Sequence, residues 1–105
     1  MSAILEVKTT LANEQDARSI GKSLVTARLA ACAQIIPGVT SIYTWDDKLQ
    51  EEAEVLLVLK TTESSWPALR DRLASQHPYD TPEIIAVEVK QSSFDYATWV
   101  REGCD

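Results

Sequence analysis

One histidine, two cysteines and a knot of carboxylates are the groups in this 105-residue chain that could do chemistry. His77 stands directly before Pro78, where a helical pattern must end. An imidazole there can meet the carbonyls at the negative end of a helix dipole. It can equally serve as a metal ligand or as the wall of a ligand pocket. Cys32 lies among Ala30, Ala31 and Ala33, a setting for a small buried hydrophobe. Apolar surroundings disfavour the thiolate that a nucleophile needs, so a Cys32–His77 catalytic pair is not expected. Cys104, next to the last residue, is expected to be a free, exposed thiol. Asp46, Asp47, Glu51, Glu52 and Glu54 crowd one short stretch around Lys48. They form either a solvated turn that discourages edge-to-edge aggregation or a set of hard oxygen ligands for a divalent ion.

Other chemistries lack their parts. The three glycines, Gly21, Gly38 and Gly103, are isolated, so no phosphate-cradling loop exists. There is no Cys-x-x-Cys, and one histidine cannot build a His-rich metal site. No acid–base pair or nucleophile assembles, and the expectation is a protein that is not an enzyme. Sixteen acidic residues against ten basic ones give a net charge of −6, the wrong sign for a nucleic-acid partner. No apolar run approaches the ~20 residues of a membrane span. The start, Met1 to Glu6, has no basic region ahead of its apolar residues, so it does not read as a secretory signal. A cytoplasmic location is expected, with neither membrane nor nucleic acid as partner.

The elements that must position these groups follow from periodicity, and they form one domain over residues 1–105. Residues 3–10 alternate as a strand. Asn13 caps a helix whose apolar residues Ala17, Ile20, Leu24, Val25 and Leu29 recur at the helical period, to an end near Ala30. Residues 32–61 form a long hairpin: a β-branched and aromatic arm, a polar turn at Asp46 to Lys48, and an aliphatic arm. Each arm is about 13 residues, against a usual ~5–6. Pro37-Gly38 must interrupt the first arm with a bulge. Thr62 or Ser64 caps a second helix with Trp66, Leu69 and Leu73 on its inner stripe, ending at His77-Pro78. Residues 83–90 form a strand, and Ser92 or Ser93 caps a terminal helix.

The order β-α-β-β-α-β plus a helix predicts an α+β, ferredoxin-like sandwich with an extended hairpin between its second and third strands. The helix-facing set is expected to be Leu5, Val7, Val55, Leu57, Leu59, Ile85, Val87 and Val89. Ile4, Leu56, Val58 and Ile84 then lie on the helix-free face. Covering those four is worth roughly 6–12 kcal/mol at about 1.5–3 each. Such a patch, with a hairpin overhanging its own core, predicts a homo-oligomer packed sheet against sheet. The terminal helix folding over that face is the alternative.

Three separated motifs, Arg28 to Trp45, Glu54 to Thr62 and His77 to Ile84, resemble the CutA family of divalent-cation tolerance proteins, and the similarity runs from about residue 3 to residue 100. The resemblance implies a ferredoxin-like homotrimer with interlocked hairpins, similar in architecture to the PII signalling proteins. It further implies binding of divalent cations, Cu(II) above all, and a part in the response to metal ions. No obligatory cofactor is implied. His77 matches the family's His-Pro-Tyr motif and Cys32 its Ala-Ala-Cys-Ala motif, the candidate metal ligands. Thr9 and Gln76 stand where some relatives carry a further cysteine and histidine. A PII-like alternative places a small anionic metabolite in an inter-subunit cleft near Trp45, Lys60, His77, Tyr79 and Glu83. A trimeric scaffold is the third reading.

Overall fold

A computed structural model describes residues 1–104. The elements run β1 (Ile4–Leu11), α1 (Glu14–Thr26), β2 (Cys32–Trp45), β3 (Lys48–Thr62), α2 (Trp66–Gln76), β4 (Ile85–Glu88) and α3 (Phe94–Gly103). The four strands form one sheet in the order β2-β3-β1-β4, each neighbour antiparallel. This is the ferredoxin-like arrangement that the element order predicts.

Alternation along β1 and β3 sends Val7, Leu11, Val55, Leu57 and Leu59 to one face. There they meet Ala17, Ile20 and Leu24 of α1 and Leu69 and Leu73 of α2. Gly21 lets the helix approach closely here, since a Cβ there would lie 3.1 Å from that of Ala33 and 3.4 Å from Leu57 Cδ1. Asn13 caps α1 through a 2.8 Å bond accepted from the Asp16 N–H. The helix stops earlier than its apolar pattern, at Thr26. Arg28 takes a left-handed conformation, with positive φ. The Arg28 and Leu29 N–H groups donate to the Val25 and Leu24 carbonyls, a Schellman closure. An arginine there gives no sequence signal of a helix end. At α2 the cap position is Ser65 rather than Thr62 or Ser64, and Thr62 Oγ1 accepts from the Ser65 N–H. Pro67 sits in the first turn, where its missing N–H costs nothing.

The hairpin has arms of 14 and 15 residues. Asp46 and Asp47 both take positive φ. That is the type I′ turn that suits the twist of two paired strands. The register slips between Ile36 and Val39, and Gly38 also has positive φ. The bulge therefore falls at Pro37-Gly38, as the sequence requires. β3 pairs with β1 only from Val55 to Thr62. Residues 39–54 therefore extend past the body and stretch the molecule to 45 × 25 × 22 Å.

Three expectations are corrected. β4 is four residues long rather than eight, and its phase is inverted: Ile84 and Ala86 pack on the helices, while Ile85 and Val87 are 47% and 55% exposed on the other face. Apolar residues occupy both parities there, so alternation carries no phase information. The helix-free face is not wholly open, because α3 wraps one end of it and buries Ile4 under Ala97 and Val100. Ile36, Leu56, Ile85 and Val87 remain as its uncovered or half-covered apolar residues. Cys104 is a free thiol but buried, 3.8 Å from Thr61 Oγ1. The chain end is held down by Arg28, whose Nη2 donates to the Glu102 carbonyl, and by Arg101, whose Nε donates to the Ser2 carbonyl.

Candidate acidic and aromatic hollow at the root of the hairpin

β3 carries Glu52 and Glu54 on the same face as Leu56 and Val58. Beyond the bulge, β2 places Val39, Ser41, Tyr43 and Trp45 on that face too, with Glu52 opposite Ser41 and Glu54 opposite Val39. The loop after α2 crosses the end of β1 and brings Tyr79, Asp80 and Glu83 against them. Together they enclose a hollow of about 710 Å³. Tyr79 joins the two walls by donating its hydroxyl to Glu54 Oε2 at 2.8 Å. Burial, then the Glu54 bond and charge, push the Tyr79 phenol far above its usual value, so it stays a donor. The Tyr43 hydroxyl is likewise shifted up, by loss of water and then by the neighbouring Glu52 carboxylate.

His77 is the hinge of this loop. It occupies the C-cap of α2 in extended conformation, its N–H bonded to the Leu73 carbonyl. Nδ1 accepts from the Tyr79 N–H at 3.2 Å, which leaves Nε2 to carry the proton and donate to the Thr10 carbonyl at 2.9 Å. The ring packs 4.8 Å from Tyr79. Burial lowers the imidazole pKa below 6.5, against opposing pulls from Thr10, Glu54 and Asp16. His77 is thus a neutral strut from β1 to the Tyr79 loop.

Trp45, Tyr79 and Glu83 meet in the hollow, and His77 stands behind it. Lys60 does not reach it. Its Nζ donates to Gln34 Oε1 at 3.0 Å and lies 6.0 Å from the Tyr96 ring centre. Cys32 pairs opposite Lys60, while Thr10, which holds His77, pairs opposite Leu56. Four strand residues, about 13 Å, separate those positions. The two candidate metal ligands therefore lie apart within one chain. Both nitrogens of His77 are engaged, Cys32 is a single thiol, and among the described residues no three His, Cys, Asp or Glu side chains converge. The donors of one chain do not fit a resident metal centre.

The whole chain, from strand order to hairpin length, has close counterparts. A family model described as "CutA1 divalent ion tolerance protein" matches residues 5–103. This chain belongs to that family. The divalent-cation tolerance protein CutA of Thermus thermophilus is 45% identical over 91% of this chain and 93% of its own length. The human protein CutA is 47% identical over 89% of this chain, which spans about half (52%) of the human protein's length. Among solved structures, the divalent cation tolerance protein of Thermus thermophilus superposes with a TM-score of 0.93 at 42% identity, over 97% of this chain and 99% of that one. CutA from Xylella fastidiosa gives 0.95 at 36% identity, over 99% and 100%.

Glu52, Glu54, Tyr43 and Asp80 are among the hollow's residues that sequence reasoning did not place there. The signal existed in part. Once Pro37-Gly38 fixes the bulge, alternation puts Tyr43 and Trp45 on the face of Glu52 and Glu54. The Tyr79–Glu54 bond depends on how a loop folds across a strand end, which no local pattern encodes.

Proposed function

We propose that this CutA1-family chain acts as a non-enzymatic homotrimer in the cytoplasm, serving tolerance to divalent cations. The observation that carries the trimer is the overhang. Residues 39–54 lie outside the chain's own core, yet expose Ile42 at 63%, Trp45 at 60% and Leu49 at 77%. A strand pair so long and so unsupported, with three large apolar side chains in water, is stable when other copies pack on it. The apolar residues left on the helix-free face, Ile36, Ile85 and Val87, extend the Trp45 side of this ribbon, while Ile42 and Leu49 lie on its other side.

Cu(II) is the cation this reading favours, since it binds most tightly among divalent ions at nitrogen and oxygen donors. With Cys32 and His77 apart in one chain, its ligands come from more than one copy. Sedimentation at micromolar concentration tests the assembly, and a folded species of 11.7 kDa would end the proposal. Calorimetry with Cu(II) on the parent, Cys32→Ser and His77→Gln tests the ligands. Loss of binding in either variant supports its residue, and unchanged binding in both removes the pair.

A second reading has its own observation. Trp45, Tyr79 and Glu83 share one hollow large enough for a small metabolite, as a PII-like sensor requires. Its test is a rise in melting temperature with a small ligand that mutation of the hollow abolishes.

A further inference from the structure

The hollow at the hairpin root has a chemistry that selects a ligand class. Four carboxylates stand around it: Glu52 and Glu54 on β3, and Asp80 and Glu83 on the facing loop. Among the described residues neither lysine nor arginine lines it, and Lys60 is spent on Gln34 and Tyr96. An anion would enter against four negative charges, so the anionic metabolite expected from sequence is the wrong class. The carboxylates also fail to converge as a metal site requires. The space of about 710 Å³ is several times what one ion and its first shell of water fill. Tyr43, Trp45 and Tyr79 add aromatic surface, and Thr10, Ala12, Ser41, Ile42 and Thr81 complete the lining. Ring faces attract alkylammonium groups, and aliphatic chain packs on them. The Tyr79 hydroxyl bonds to Glu54 and fixes that side chain. An ionised carboxylate accepts several hydrogen bonds, so capacity for a ligand donor remains.

We propose that this hollow binds a linear aliphatic polyamine, with ammonium groups shared between the β3 carboxylates and those of the Tyr79 loop and with the methylene chain against Trp45 and Tyr43. Two acidic walls with aromatic surface between them match two or more charges spaced along a chain. A single ammonium ion would leave one wall unneutralised. The proposal rests on the small-ligand reading above and gives it a substrate class.

Calorimetry of the full-length protein at low salt, with spermidine as probe, tests it. The expected result is saturable binding of one spermidine per chain. Glu54→Gln combined with Glu83→Gln weakens it at least tenfold. Trp45→Leu keeps every charge and weakens it about two- to fivefold, the loss of the ring face on which the chain and its nearest ammonium group rest. Trp45 lies on the overhang assigned to assembly, so circular dichroism and sedimentation of each variant check that fold and oligomer are both kept. Spermidine affinity unchanged in Trp45→Leu, with heat that vanishes at high salt, means diffuse attraction to an acidic protein and overturns the proposal. Glutarate titrated in parallel separates the two failures. Glutarate binding that Lys60→Ala removes, with no spermidine binding, overturns the polyamine while a ligand sensor survives. Binding of neither ends both readings.

Discussion

The two halves of β3 share one backbone ladder with β2 and differ in almost everything else. From Val55 to Thr62 the strand lies between β1 and β2, and six of its eight residues are buried. From Lys48 to Glu54 only β2 flanks it, and none of its seven residues is buried. Hydrogen bonding to β2 continues through both. What separates them is the presence of a third strand and of α1 and α2, so burial here comes from tertiary neighbours rather than from strand propensity. The inner half holds the fold together. The outer half offers its side chains to whatever comes next, whether another copy or a ligand.

That contrast can be broken most severely at the outer half. Replacing both Ile42 and Leu49 by serine removes two large apolar side chains from the surface assigned to assembly. At about 1.5–3 kcal/mol each, the trimer loses roughly 3–6 kcal/mol per copy. Sedimentation then returns single chains whose circular dichroism keeps its strand signal. Loss of that signal would mean that the outer half also holds the monomer's fold. At the inner half, Leu57 is fully buried against α1. Leu57→Ala costs about 2–5 kcal/mol in urea unfolding, and a cost below about 1 kcal/mol would erase the distinction from the inner side.

Thr9 refines the comparison. It pairs with Leu57 in the body, is fully buried, and its hydroxyl has no hydrogen-bond partner among the described residues. Thr9→Val keeps the shape and removes the unsatisfied group, so stability rises by about 1 kcal/mol, read from the same urea midpoint. Loss of stability would show that the hydroxyl is paired through bound water. The smallest effect belongs to His77, at the junction of the two regions. Its folded pKa lies below the 6.5 of the unfolded chain, so the unfolded state binds more protons between those values. Stability from this residue is complete above pH 6.5 and falls as pH drops below it toward the folded value. Denaturation at pH 7.5 and 5.5 shows that fall in the parent and a smaller one in His77→Gln. Equal slopes would take His77 out of the pH response.

Legibility follows the same division. Signals that act over a few residues could be read directly: the Asn13 cap, the bulge demanded by Pro37-Gly38, the end of α2 before Pro78, and the polar hairpin turn. The core positions on β1, β3 and α2 were legible because long elements carry a clear period. The phase of β4 is not legible because four apolar residues in a row, Ile84 to Val87, fit either phase, and only pairing with β1 chooses between them. The end of α1 was hidden because its left-handed residue is arginine, a type that seldom adopts that conformation. The burial of Cys104 depends on Thr61 and on clamps from Arg28 and Arg101, which tie segments far apart along the chain. The hollow was half legible. Its three predicted residues meet, while Lys60 goes elsewhere, because strand parity fixes a face but not which end of that face a residue serves.

The single additional residue at Pro37-Gly38 acts as a phase inverter. Before it, even-numbered residues of β2 share a face with Leu56 and Val58; after it, odd-numbered ones do. Were Pro37 and Gly38 both paired regularly, with no residue removed, Thr40 would come opposite Glu52 and Tyr43 and Trp45 would turn over to the far side of the ribbon. The carboxylates of β3 would then face Thr40, Ile42 and Thr44, with every atom of both walls still encoded and their meeting abolished.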